Sequence, residues 1–161
     1  MKSKRRTAPQ SAASQGAALQ RNVAFQRGGA LVEFALISSL LFLILFGIIE
    51  VGLLLGDQAQ VGAAAREAAR AAAVGSTIET AETNGVNAGT GLHLTTAGVY
   101  LEKSADGVAW VALSDTVLGT NDAVSGNLVR ATVTYNHPLV TTFIFSGSTK
   151  LLTAKLVMQR E

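Results

Sequence analysis

One unbroken apolar stretch dominates the pattern of hydrophobic and polar positions along the chain. Residues 30–55 are almost wholly apolar, and residues 34–49 carry no charge. As an α-helix, residues 30–55 would be about 39 Å long, which exceeds the roughly 30 Å hydrocarbon core of a bilayer. A helix that is apolar on every side suits lipid better than the one-sided core of a small soluble domain. The pattern therefore predicts a transmembrane helix.

This helix is predicted to continue beyond the membrane. Residues 56–73 are rich in alanine, which has the highest helix propensity. Gly75 follows at the position where a C-terminal cap is expected. We therefore predict one helix over residues 31–74, with its first part in lipid and its last part in water or against a following domain.

After Gly75 the apolar period shifts towards two, which is typical of strands. Residues 99–103 and 108–113 flank the turn signal Asp106-Gly107 and predict a hairpin. Residues 128–135 alternate apolar and polar positions, and residues 151–158 are a last strand candidate.

The remaining stretch, residues 76–97, is read as a short helix over 77–83 followed by a loop over 84–91. The fold class is therefore α+β, with a long N-terminal transmembrane helix followed by a small antiparallel β-sheet. The predicted organisation has three parts, which are a basic leader (1–28), the long helix (29–75) and a small exported domain (76–161).

Charge gives the predicted helix a direction across the membrane. The net charge is only +2, but every charge before the apolar stretch is basic. Such a block orients a membrane helix with its N-terminus in the cytoplasm, and the small net charge gives no indication of nucleic-acid binding. The leader has the composition of a disordered or transient segment. The basic residues of this leader are Lys2, Lys4, Arg5, Arg6, Arg21 and Arg27.

Glu33 stands out because a carboxylate near the start of a bilayer helix is costly to bury. In one interpretation it lies at the interface, where the positive end of the helix dipole favours an anion. In the other, the chain is cut between Gly28 and Gly29. Glu33 is then the fifth residue of the mature chain and can pair with the new α-ammonium, in this chain or in a neighbouring subunit.

Three runs of residues together resemble the TadE-like family. The first is Arg27-Gly-Gly-Ala-Leu-Val-Glu-Phe-Ala-Leu, the second is Phe46-Gly-Ile-Ile-Glu-Val-Gly, and the third is Ala64-Ala-Arg-Glu-Ala-Ala-Arg. Weaker similarity continues in the C-terminal third. Members of this family are minor pilins or pseudopilins of the tight-adherence (Tad/Flp) pilus, which is related to type IV pili.

The resemblance implies a role in pilus assembly for adhesion, biofilm formation or secretion. It also implies that a prepilin peptidase cuts at Gly28, that Glu33 with Phe34 forms the assembly end of the helix, and that other pilin-like subunits and the assembly machinery are partners. The implied location is the bacterial inner membrane, with a periplasmic or extracellular C-terminal domain. Cutting after Gly29 instead would place Glu33 at position four.

Other helix residues have open roles. Glu50 marks the outer lipid boundary or pairs with a partner helix. Gly52 and Gly56 have a small-residue spacing that permits close helix contact. Three charges of the family motif form a solvated face or organise the helix against the domain or a partner, and they are Arg66, Glu67 and Arg70.

Nothing in the sequence forms a catalytic constellation. His93 and His137 lie in different segments, and Trp110 is expected in the core. Three aspartates lie in turn-like surroundings, where Asp bonds its own backbone; they are Asp106, Asp115 and Asp122. We predict that the protein is not an enzyme and that it binds no metal, no cofactor and no small-molecule substrate. A permanently anchored exported binding domain is the alternative, and a secreted enzyme released by signal cleavage is the third hypothesis.

Overall fold

The structure of the protein is a computed structural model. It describes the backbone over residues 11–141 and 147–161, and the side chains over residues 29–141 and 147–161. Internal contacts divide the chain into two compact units, Met1–Phe46 and Gly47–Glu161. The described part of the first unit is helical, and the second unit holds the rest of that helix together with a sheet.

Helix α1 spans Ser11–Ala73. Its end agrees with the predicted end near residue 74, but its start lies well before the predicted start at residue 31. Residues 11–28 were expected to be disordered, and their backbone is helical. Extending an existing helix avoids the cost of nucleation, and alanine, glutamine and arginine in this stretch are good helix formers. The rest of the predicted leader, residues 1–10, lies outside the described residues.

Before Glu50, the described apolar part of α1 is exposed on almost every side. Among the residues that the structure describes, α1 over Gly29–Ala73 is the one helix long and apolar enough to cross a membrane, and its most apolar part is not buried inside the chain. Leaving this much apolar surface in water would be strongly unfavourable. The helix therefore indicates a single-pass membrane protein.

In the described part of the chain, four antiparallel strands form a single sheet with the order β2-β1-β3-β4. Strand β3 pairs with β1 on one side and with the whole of β4 on the other. The predicted α+β fold class is confirmed. The strands are β1 (Val99–Ser104), β2 (Val111–Ala112), β3 (Leu128–Pro138) and β4 (Thr149–Gln159).

The predicted hairpin forms, but its second strand is short. Strands β1 and β2 pair around the Asp106-Gly107 turn, where the Asp106 carboxylate accepts bonds from the N–H groups of Val108 and Ala109. Trp110 was expected in the core and is only half-buried. Its ring lies under the Arg130 guanidinium, at 4.0 Å from the ring centroid. A cation–π contact at the rim thus replaces a core contact.

The core lies between the alanine-rich end of α1 and one face of the sheet. The apolar residues of β3 alternate with polar ones as predicted, and Val129, Ala131 and Val133 are fully buried. They belong to one buried cluster with the small side chains of α1. Methyl-sized side chains let a helix backbone approach a sheet closely. The buried alanines of α1 in this cluster are Ala64, Ala65, Ala68, Ala69, Ala71 and Ala72.

The C-terminus of α1 is capped as the sequence predicts. Gly75 has a φ of 91°, and the N–H groups of Gly75 and Ser76 bond to carbonyls of the last turn in a Schellman motif. Two residues distant in sequence complete the cap. The Asn121 amide donates to the Ala72 carbonyl at 2.8 Å, and the Arg160 guanidinium donates to the Ala73 carbonyl at 2.9 Å.

Helix α2 spans Ile78–Ala88, so part of the loop predicted over residues 84–91 is helical. Gly85 explains the difference. A Cβ at this position would lie 2.9 Å from the Ala68 Cβ, so the glycine lets α2 pack closely on α1. Thr77 caps the start of α2, and the Asp115 carboxylate accepts a bond from the Ile78 N–H at 2.8 Å.

An ion pair joins β1 to the loop before β3. Lys103 Nζ lies 2.5 Å from Asp122 Oδ2, and the Ser114 N–H donates to the other carboxylate oxygen at 2.9 Å. Partial burial raises the pKa of the Asp122 carboxyl, but the Lys103 ammonium and the Ser114 N–H more than offset it. The pKa of Asp122 is therefore lower in the folded chain than its usual value of about 3.9.

A Gly85→Ala substitution should destabilise the domain although alanine favours helices. The added methyl group collides with Ala68, and such overpacking costs about 1–3 kcal/mol. Urea unfolding in detergent, followed by the fluorescence of Trp110, measures the effect. The matched control is Gly62→Ala in α1, where no atom lies within 4 Å of the new Cβ, and its stability should rise by up to about 1 kcal/mol. Equal effects of the two variants would contradict this packing.

The Asp122 ion pair predicts a stability difference that depends on pH. Because the pKa is lowered on folding, the ionised carboxylate stabilises the fold above pH of about 4, and this contribution disappears as the pH falls through the folded pKa. Asp122→Asn should therefore lose at most about 1 kcal/mol at pH 7 and converge with the parent in acid. Unfolding curves across this pH range test the prediction, with Lys103→Met as the matched partner variant. A difference that is constant with pH would refute it.

Candidate functional site

One stripe of α1 faces the domain, and it begins at Glu50 in the apolar region. Leu54 and Val61 continue it at helical spacing and pack against the core. Polar residues of the same stretch also reach the domain. The Gln58 amide donates to the Thr153 carbonyl at 3.3 Å, and the Gln60 carbonyl accepts from the Gly91 N–H at 2.6 Å. Sequence reasoning placed the start of the domain contact later, after residue 55.

The Glu50 carboxylate is fully buried and is bound by the segment that follows β3. It accepts bonds from the N–H group of Val140 at 3.1 Å, from the N–H group of Thr141 at 2.9 Å and from the Thr141 hydroxyl at 2.8 Å. Bonds to an ionised acceptor are the strong class of hydrogen bonds. Donors from the same chain therefore replace the water that this carboxylate loses.

His137, at the end of β3, links Glu50 to a second carboxylate. Its side chain is buried, and Nδ1 lies 2.6 Å from Asp57 Oδ2. Because an ionised carboxylate only accepts hydrogen bonds, Nδ1 is the donor. Nε2 lies 3.6 Å from Glu50 Oε1 and has no hydrogen-bond partner among the described residues. Each ring nitrogen thus faces a carboxylate oxygen.

We name Glu50, Asp57, His137 and Thr141 the carboxylate cluster. Two of its members lie seven residues apart on α1, and the other two lie at and just after the end of β3. The Thr141 hydroxyl donates to Glu50, which ties the segment after β3 to α1. The hydrogen bonds of the carboxylate cluster hold the β3 end of the sheet on α1.

The structure places the predicted assembly residues on open helix surface. Glu33 is exposed and Phe34 is 68% exposed. The backbone at Gly28 and Gly29 is helical. Gly52 and Gly56 are also exposed, and no described atom lies within 4 Å of a Cβ built on either. Their contact with a partner helix stays a prediction.

Glu50 is a family-motif charge within the carboxylate cluster, and the other three, Arg66, Glu67 and Arg70, lie outside it. Glu67 and Arg70 form a local ion pair one turn apart, with Arg70 Nε 3.0 Å from Glu67 Oε2. Arg66 is exposed. This is the arrangement of a solvated helix face.

Sequence reasoning missed the partner of Glu50. It treated His137 as a lone histidine and did not consider Asp57 or Thr141 as site residues. Asp57 and His137 are 80 positions apart along the chain, so no local pattern joins them. One available signal was the spacing of Glu50 and Asp57, which places two acids on one face of an apolar helix.

A Thr141→Val substitution tests the hydrogen bonds to Glu50. It keeps the shape of the side chain and removes the hydroxyl that donates to the buried carboxylate. Loss of such a bond costs about 1.5–3 kcal/mol, so the free energy of unfolding should fall by this amount. Urea unfolding in detergent provides the measurement.

The matched control for this prediction is Thr153→Val, at an exposed threonine of β4. Its stability should change by less than about 0.5 kcal/mol. If both variants unfold like the parent, the carboxylate does not depend on the Thr141 hydroxyl.

A comparison with known families identifies the segment that carries this site. A family model described as TadE-like protein matches residues 28–70. No curated protein and no solved structure matches the chain. The matched segment bears Gly28, Glu33 and Glu50 and ends before the sheet, and it supports association with the Tad pilus in general. The resemblance predicted from the sequence is thereby confirmed, and residues 28–70 are similar to the TadE-like family.

Proposed function

We propose that this chain is a minor pilin or pseudopilin that acts in the assembly of a Tad pilus, and so in adhesion, biofilm formation or secretion. The observation that carries the proposal is the TadE-like match over residues 28–70, which coincides with an exposed apolar helix. The role is structural: the helix packs with other pilin-like subunits and the assembly machinery, and the chain catalyses no reaction.

The proposed location is the bacterial inner membrane, with the N-terminus in the cytoplasm and the sheet domain on the periplasmic or extracellular side. The basic residues before the apolar stretch support this orientation. The absence of acidic residues before Glu33 supports it further.

A prepilin peptidase is the proposed processing partner, with its cut between Gly28 and Gly29. Both glycines lie within α1, so the peptidase must act on locally unwound backbone. Each glycine weakens a helix by about 1 kcal/mol relative to alanine, which makes this point easy to open. After the cut, the ammonium of Gly29 lies close in sequence to Glu33.

Glu33 has the proposed role of pairing with such an ammonium during assembly. The carboxylate is exposed on the helix surface, and in lipid a lone charge there would be unfavourable. Pairing with the N-terminus of the same or a neighbouring subunit neutralises both charges. Phe34 and the small residues Gly52 and Gly56 would then contribute to contact between helices.

Mass spectrometry of the mature N-terminus and a pilus assembly assay test the proposal. We expect a chain that starts at Gly29. We also expect Glu33→Ala to reduce the number of pili at least tenfold while the protein still inserts in the membrane, because only the charge pairing is lost.

Glu67→Ala is the matched control, since it removes a carboxylate from a solvated local pair, and it should assemble normally. Normal pilus numbers with Glu33→Ala would contradict the charge-pairing role. An intact leader together with normal assembly in a strain that lacks this chain would favour the permanently anchored binding domain.

A further inference from the structure

We propose that the β3–β4 end of the sheet contacts the lipid interface on the outer side of the membrane. We name this surface the interfacial end and define it by Leu139, Val140, Lys150 and Leu151. Its partner is the headgroup and glycerol region of the bilayer. The inference rests on the membrane span proposed above and is independent of any role in pilus assembly.

The position of Glu50 along α1 follows from the length of helix that precedes it. Residues 29–49, at about 1.5 Å per residue, form about 31 Å of helix. This equals the hydrocarbon thickness of a typical bilayer, about 30 Å. When Gly29 lies at the inner boundary, Glu50 therefore lies at the outer boundary, where lipid hydrocarbon gives way to headgroups.

The segment after β3 lies at the same height along α1 as Glu50. The N–H groups of Val140 and Thr141 donate directly to the Glu50 carboxylate, at 3.1 and 2.9 Å. These contacts fix the interfacial end beside one turn of α1. They also satisfy backbone donors that would otherwise be unpaired near lipid. A hydrogen-bonded segment of this kind is compatible with the interface.

The interfacial end presents exposed apolar side chains together with a lysine. Val140 is 65% exposed and Leu151 is 59% exposed, although both are large apolar side chains. Lys150 precedes Leu151 in β4, is exposed, and pairs across the hairpin with His137. Apolar side chains next to a lysine, whose stem lies in the apolar layer while its ammonium reaches water, are typical of a membrane interface.

The interfacial end adjoins a part of α1 that also exposes apolar side chains. Ile49, Val51 and Leu53 on α1 are also exposed, and they flank Glu50, to which Val140 is bound. The exposed apolar side chains of the helix thus flank the residue to which Val140 is bound. The acidic groups of this region, Glu50 and Asp57, are turned towards His137.

Exposed apolar side chains alone do not mark a membrane-contacting surface, because a second exposed apolar tip lies elsewhere in the described part of the chain. Val117 and Leu118 are almost fully exposed in a tight turn. That turn adjoins Gly75 through the Asn121 N–H, about 37 Å along the helix from Glu50. It therefore lies far beyond the interface and serves as an internal control.

Depth-dependent fluorescence quenching tests the proposal on the full chain. In a Trp110→Phe background, one tryptophan is placed by Val140→Trp, Leu118→Trp or Leu41→Trp, with Leu151→Trp as a second probe of the same surface. Each variant is reconstituted in phosphatidylcholine vesicles with bromine either near the headgroup or near the bilayer centre. Val140→Trp should lose more of its fluorescence with bromine near the headgroup than with bromine near the bilayer centre. Leu118→Trp should stay unquenched by lipid, and Leu41→Trp should respond to bromine at the bilayer centre.

Two results would overturn the proposal while the membrane span stands. In the first, Val140→Trp and Leu151→Trp are quenched only by aqueous acrylamide, as Leu118→Trp is, which shows that this end faces water. In the second, both are shielded from lipid and from acrylamide, which shows that a protein covers them. If Leu41→Trp is unquenched by lipid, the membrane span itself is wrong, and the interfacial contact fails with it.

Discussion

The carboxylate of Glu50 lies in an otherwise apolar part of a helix, and the surrounding structure meets the constraint that this charge imposes. A buried carboxylate needs donors in place of the water it loses. The chain supplies them from the segment after β3, through the N–H groups of Val140 and Thr141 and the Thr141 hydroxyl. His137 adds a link to Asp57. Satisfying one charge therefore fixes which face of α1 the domain covers and where the sheet begins along the helix.

Small side chains let the rest of that helix face act as part of the domain core. Alanines of α1 pack with the buried residues of β3 in one cluster, and Gly85 brings α2 close to the same helix. The cap at Gly75 ends α1, and Asn121 and Arg160 bind its last carbonyls. From Glu50 to its C-terminus, α1 is thus a core element, and its other faces stay open. This arrangement suits a subunit whose helix must meet lipid or other helices.

Patterns confined to neighbouring residues were sufficient to predict much of this protein. The apolar stretch gave the membrane helix, the alternation in β3 gave its buried face, and Gly75 gave the end of α1. The TadE-like resemblance rests on consecutive residues and was predicted for the same reason. Local patterns failed where packing decided the outcome, since α2 continues through Gly85 because a second helix lies against it, and Trp110 stacks on Arg130 at the rim.

The sequence by itself therefore determined the elements, their faces and the family segment, because hydrophobic period, turn chemistry and short motifs act over a few residues. Only the tertiary structure decided the partner of Glu50. The contacts of this carboxylate come from positions about 90 residues away. Neither a lone histidine nor a threonine after a strand predicts such a contact from the sequence. Pairing across the chain depends on how the helix and the sheet pack, which is a property of the folded molecule and of no single segment.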